Sequence, residues 1–332
     1  MPRSERLRVV FDTDTANEID DQFALAWALS APERLAIEGV HAAPYSHGTF
    51  FRALAEAASR RGGPSTEFES LAIAMGEDGF ARLLERTPIA TSEQNSFEEI
   101  LRVFDAAGVD PNHRVKRGAT AYLPAPNVPI ESEAAHHLIA LAKSASPDGP
   151  IHVATIGAPT NVASALLLDP SIAPNLHVLF LAGYPSGAGL PDDSFNLVQD
   201  RFASNVLFES DVRLLHLPGY QVAEVLQLAL PAARAWLEGK SRLAQYLFET
   251  YTQNPIEPDP GTPGKSWVLW DLIATAWLLD PDWVPARAVP RAHLRVDHTW
   301  APLPGAGSTM QEAYGARRNA IFRDLIERVT KD

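Results

Sequence analysis

Four aspartates packed into ten residues are the first feature of this chain that could do chemistry. In Val9-Val10-Phe11-Asp12-Thr13-Asp14-Thr15-Ala16-Asn17-Glu18-Ile19-Asp20-Asp21, an apolar run ends in Asp12 and Asp14, and a short loop leads to Asp20 and Asp21. Residues two apart on a strand point to the same side, so Asp12 and Asp14 share a face. Asp20 and Asp21 then open a helix. Carboxylates converging in this way repel one another unless a cation sits among them. Several hard oxygen ligands suit Ca²⁺, or Mg²⁺ with more retained water. Helix capping is the ordinary explanation for an aspartate at such a place. It accounts for one of these residues, not for four with Glu18 beside them.

The rest of the composition narrows the chemistry. There is no cysteine, which removes disulfides, thiolate nucleophiles and sulfur-ligated zinc or iron, and fits a reducing cytoplasm. The formal charge of -13 argues against a nucleic-acid-binding protein, which needs clustered Lys and Arg, although acidity also serves solubility. The polar start, Met1 to Arg8, lacks a signal peptide's apolar stretch, and no segment approaches the roughly 18 to 20 apolar residues that cross a bilayer. The 332 residues, 46% hydrophobic and 21% charged, suffice to bury a large core.

The elements that must position the aspartates alternate between strand and helix. Leu7–Phe11, Leu35–His41, Ile151–Ile156, His177–Ala182, Arg213–Leu217 and Ala292–Val296 read as strands. Asp20–Leu29, Glu131–Ala145, Asn161–Leu168, Arg201–Ser210, Asp271–Leu279 and Tyr314–Val329 read as helices, the last with Ile321, Phe322, Leu325, Ile326 and Val329 on one face. Such alternation predicts an α/β fold: an open, mostly parallel, Rossmann-like sheet with helices on both faces and ligands at the carboxyl ends of the strands. One domain spanning 1–332 is expected, with an insertion at about 49–89 carrying Arg60-Arg61-Gly62-Gly63-Pro64. The run Pro255 to Gly264 reads as an irregular loop.

The aspartate segment resembles the opening of nucleoside hydrolases: strand, Asp-x-Asp, loop, then Asp-Asp leading a helix. Three later segments agree in order. His152-Val153-Ala154-Thr155-Ile156-Gly157-Ala158-Pro159-Thr160-Asn161-Val162-Ala163 is similar to that family's strand–Gly–x–x–Thr-Asn–helix motif. Ser194-Phe195-Asn196 with Asp200 resembles its Glu-Phe-Asn segment, and Trp270-Asp271-Leu272 resembles its His-Asp-Pro segment. The resemblance runs from about residue 7 to 281. It implies a Ca²⁺-dependent hydrolase cleaving the N-glycosidic bond of a nucleoside or related N-riboside. Asp14 would be metal ligand and the base that activates the attacking, metal-bound water. Asp21, the Ile156 carbonyl and Asp271 would complete the ligand set. Asp20 and Asn196 would contact sugar hydroxyls, Phe195 would pack in the sugar pocket, and Asp12 would brace the site. A homo-oligomer, dimer or tetramer, is also implied.

The match departs from the family in four places. The loop from Asp14 to Asp20 is longer by two residues, resembling a divergent branch that reads Asn-Glu-Ile-Asp-Asp-Gln. Ser194 replaces the Glu, and Ala188 falls near the expected Asn, which leaves the sugar's 5-hydroxyl end without its usual partners. Trp270 replaces a His that could protonate the departing base; an indole cannot, but it can stack on one. Trp267 shares that side if the stretch is helical. His41 and His47, just after the second strand, lie near the expected substrate position, where a lone His is usually a satisfied polar residue. Arg317 and Arg318 read as solvated helix charges. Two other functions compete. A metal-bound nucleoside- or sugar-binding protein with weak catalysis would explain Ser194, Ala188 and Trp270. A Mg²⁺-dependent phosphatase of the haloacid dehalogenase type would use Asp12 as nucleophile and Asp14 as acid/base, but the Gly usual after the second Asp is missing.

Overall fold

The computed structural model describes residues 6–254, 265–303 and 308–331. The run Pro255 to Gly264, expected to be an irregular loop, lies outside them. An eight-stranded sheet forms the centre of the molecule. Its first six strands in chain order are β1 (Leu7–Thr13), β2 (Leu35–Ala42), β3 (Val115–Lys116), β4 (Ile151–Thr155), β5 (Leu176–Leu181) and β6 (Arg213–Leu217). In space they run β3-β2-β1-β4-β5-β6, followed by Thr309–Ala313 and Ala286–Pro290. Every pairing is parallel except that of the last two strands.

The strands are apolar along their length because both faces are covered. Successive residues of β1 go to opposite cores: Val9 and Phe11 join one, Val10 the other. The same alternation places Leu179 and Leu181 of β5 on the first face and Val178 and Phe180 on the second. Helix α1 (Asp20–Leu29) covers the first face and is buried on every side, which explains its apolar body after Asp20, Asp21 and Gln22.

The chain leaves β1 toward β2 and β3, then crosses back to β4 on the other side of β1. The crevice between the carboxyl ends of β1 and β4 is therefore a topological switch point, where open α/β sheets leave room for ligands. Asp12 and Asp14 stand at one lip, Ile156 and Gly157 at the other.

Several expectations shift in detail. The stretch from about 49 to 89 is mostly helical. α2 (His47–Arg61) is capped by Ser46, whose Oγ accepts from the Thr49 amide at 3.1 Å, and ends on left-handed Gly62. α3 (Glu67–Arg86) is capped by Thr66 and kinks at Gly76, whose φ of 64° breaks the helical path. α4 (Ile89–Ala106) follows. The Gly-Gly-Pro run is the joint between α2 and α3. Ala292–Leu294 is a strand, but it pairs antiparallel with Trp300–Pro302 outside the main sheet. The last two strands of the sheet, Thr309–Ala313 and the edge strand Ala286–Pro290, have no counterpart among the expected elements. They are short and half exposed, and Arg287, Gln311 and Glu312 interrupt any apolar pattern. The closing helix runs Arg318–Val329, and Tyr314 is an exposed residue ahead of it.

Candidate active site

The aspartate segment folds as a floor at the switch point. Asp12, the penultimate residue of β1, is fully buried, and its Oδ1 accepts from Asn161 Nδ2 at 2.8 Å. Asn161 also donates to the Ala42 carbonyl at 3.0 Å and accepts from the Ala119 amide at 2.7 Å. One side chain thus ties β1, the end of β2, the loop after β3 and the start of helix Thr160–Leu168. Thr160 fastens the other flank, donating to Asp200 Oδ2 at 2.7 Å. This is the physical use of the Thr-Asn pair.

Asp14 follows the strand end. Gly157 lies so close that a Cβ there would stand 3.0 Å from Asp14 Oδ1, so any larger residue would press Asp14 out of place. The Asn17 amide donates to the Asp14 carbonyl at 2.7 Å, turning the loop back toward α1. Asp20 and Asp21 do not cap α1: the cap position is Ile19, with no side-chain hydrogen bond. Instead Asp21 accepts from Thr13 Oγ1, and Asp20 Oδ2 accepts from the Asp271 amide at 3.4 Å.

Asp20, Asp21 and Asp271 bring carboxylate oxygens within 4.8 Å of one another, all buried. Asp14 lines the same cavity, and its Oδ2 is buried without a partner. Burial raises the pKa of all four, and the neighbouring carboxylates add to the rise for Asp14, Asp20 and Asp271. Burial pushes Asp21 up to about 6 and Asp12 and Glu18 up to about 7. A floor this crowded with acids holds either protons or a cation. An all-oxygen donor set fits Ca²⁺ or Mg²⁺.

Above the floor is a cavity of about 350 Å³. Asp14, Asp20, Asp21, Asp271, Asn196 and Ile156 form its polar base. His47, Phe50, Phe51 and Phe195 stand on one side, with Phe68 of α3 against Phe50. Tyr220 and Trp270 stand edge to face, 5.8 Å apart, and Trp267 lines the cavity with them.

Eight of the nine residues singled out by sequence line this cavity; the ninth, Asp12, sits beneath it as a buried brace. The trio of converging carboxylates contains Asp20, which the resemblance assigned to a sugar hydroxyl, rather than Asp14. The Ile156 carbonyl, an expected ligand, accepts from Asn196 Nδ2 at 2.8 Å. Phe195 packs on His47 and Phe50 at 5.1 and 4.9 Å. His41 lies away from the cavity, paired with His137 at 3.0 Å, whereas His47 lines it. Ser194 lines the cavity and Ala188 does not. Asp193 does, with a buried Oδ1 that has no hydrogen-bond partner. Arg318 donates to the Gln227 carbonyl and does not line the cavity. Asp193, Tyr220 and the phenylalanines of α2 and α3 carry no sequence signal of a site. Aromatic residues at helical spacing read as core, and nothing local marks them otherwise.

Buried carboxylates at the switch point of a parallel sheet, with an aromatic cavity beside them, suit a site that holds a hard cation and a small organic ligand. Residues 9–321 match the sequence profile of the inosine-uridine preferring nucleoside hydrolases, and the chain belongs to that metal-dependent family. Among solved structures, a plant nucleoside hydrolase superposes with a TM-score of 0.66 at 15% identity, covering 99% of this chain and 100% of that one. A purine-preferring ribonucleoside hydrolase from Gardnerella vaginalis gives 0.61 at 17%, covering 97% and 98%. An inosine-guanosine nucleoside hydrolase gives 0.68 at 13%, covering 99% and 100%. No curated protein matches by sequence. Among the described residues, no helix is long and apolar enough to cross a membrane.

Proposed function

We propose that the chain hydrolyses the N-glycosidic bond of a nucleoside or related N-riboside, with Ca²⁺, or Mg²⁺ as the alternative, held by Asp14, Asp21, Asp271 and the Ile156 carbonyl. The observation that carries this reading is the buried, unpartnered Asp14 Oδ2 facing a cavity whose floor is carboxylate and whose walls are aromatic. When bound, the cation supplies Lewis acidity that lowers the pKa of a water and a fixed anchor for vicinal hydroxyls. Asp14 takes the proton of the attacking water. Asp20 and Asn196 orient the sugar hydroxyls, and the buried carboxylates stabilise the oxocarbenium character that develops at the anomeric carbon. Phe195 shapes the sugar's seat, and Asp12 fixes the floor through Asn161. The working unit in this reading is a cytoplasmic dimer or tetramer of this chain.

The test is base or reducing sugar released from purine and pyrimidine nucleosides, with calcium and with chelator. Release that chelator abolishes and calcium restores is expected. Release untouched by chelator would overturn the metal assignment, and no release from any nucleoside would favour a binding protein.

A further inference from the structure

The lengthened loop between Asp14 and Asp20 delivers Glu18 to the cavity wall. Trp267 Nε1 donates to Glu18 Oε2 at 3.3 Å, which fixes the carboxylate against the indoles. Glu18 interacts electrostatically with Asp14, Asp20 and Asp271 on one side and with Tyr220 on the other. It therefore stands where the carboxylate floor meets the Trp267, Trp270 and Tyr220 wall. With the sugar on the floor, the group at the anomeric carbon reaches that boundary. Asn17, on the same loop, lines the cavity with its buried Oδ1 unpartnered. Among the described residues no lysine or arginine lines the cavity, and its one histidine, His47, has a pKa lowered by burial.

A carboxylate set against aromatic faces recognises organic cations, and a cation beside Glu18 favours its charged form against the burial that raises its pKa. We propose that the preferred leaving group is a positively charged base, a quaternised pyridine or N-alkylated purine, held by Glu18 against Trp267, Trp270 and Tyr220. This rests on the hydrolase reading above. It also meets the problem posed by Trp270. A neutral base must gain a proton as it leaves, and an indole N–H does not supply one. With a cationic base the C–N bond breaks, its electron pair returns to the ring nitrogen, and the base departs neutral. The water oxygen bonds the anomeric carbon, and its proton goes to Asp14. No acid is required.

The test compares kcat/KM for guanosine with 7-methylguanosine, and for inosine with nicotinamide riboside, in wild type and Glu18→Gln. The intrinsic lability of the cationic substrates cancels when the cationic-to-neutral ratio is compared between enzymes. Glu18→Gln is expected to lower that ratio roughly tenfold, as a lost desolvated cation contact implies. Trp267→Phe, which frees Glu18 from its donor, should lower it in the same direction and serves if the first variant does not fold. An unchanged ratio would make Glu18 a structural residue and overturn the proposal. A ratio that rises would mean that Glu18 protonates neutral bases, and would overturn it equally. No release by wild type from any of the four would remove the hydrolase reading itself, and this inference with it.

Discussion

The floor and the walls of the cavity are built in opposite ways. The floor draws most of its carboxylates from one ten-residue segment, Asp12 to Asp21, locked at the centre of the sheet by Asn161, Thr13 and Gly157. The walls come from α2, α3, the turn at Tyr220, the Phe195 turn and the Trp267–Trp270 segment, each set by its own packing. Phe68 is 45% exposed, whereas every aspartate of the floor is under 5%. A floor so constrained can hold charges that would otherwise repel. Walls hung on helices and loops can change with the ligand while the floor stays. In the proposed reading, chemistry belongs to the first region and selection to the second.

Four experiments can break or sharpen that contrast. The largest effect is expected from Asp14→Asn, which should lower kcat by ~10²–10⁴-fold, the range for losing a positioned base, with the circular dichroism spectrum unchanged. Turnover within a few-fold of wild type would remove the floor from the chemistry. Asn161→Ala comes next. It leaves the Asp12 carboxylate and the Ala119 amide without their shared partner, at about 2–3 kcal/mol of stability, readable by urea denaturation. A loss below about 0.5 kcal/mol would mean that the floor does not depend on this tie.

Trp270→Ala tests the wall. Loss of a stacking surface should raise KM by roughly tenfold while kcat changes little, since the indole carries no proton in the reaction. A kcat loss as large as that of Asp14→Asn would erase the division between regions. The smallest effect concerns pH. Asp12, Glu18 and Asp21 have folded-state pKa values of about 7, 7 and 6, above their unfolded values of 3.8, 4.5 and 3.8. Between those limits the folded chain holds more protons than the unfolded one. The stability these groups contribute is complete below about pH 4 and drains as pH rises through 6 to 7. In chelator, the melting temperature should therefore fall from pH 5 to pH 7.5, and calcium should reverse the fall. A chelated melting temperature that climbs over this interval would refute the crowded floor.

The α/β architecture and the floor are legible in the amino-acid sequence because their carriers are local. Apolar strands, Asp-x-Asp at a strand end, Asp-Asp at a helix start and the Gly–x–x–Thr-Asn turn are short-range patterns, and a buried parallel strand needs little else to declare itself. Of the walls, Phe195 and Trp270 were legible too, but tertiary structure alone decided the rest. Phe50, Phe51 and Phe68 have the spacing of core residues, and only the placement of α2 and α3 turns them toward a cavity. Asp193 and Glu18 gain meaning from what faces them across the fold: the cavity for one, Trp267 from 249 residues away for the other. The same holds for the last two strands of the sheet, whose pairing with β6 and with each other supplies the order that their sequences lack. Charge and periodicity act along the chain and are written there, whereas a cavity is the space left between segments, which the packing of the whole sheet determines.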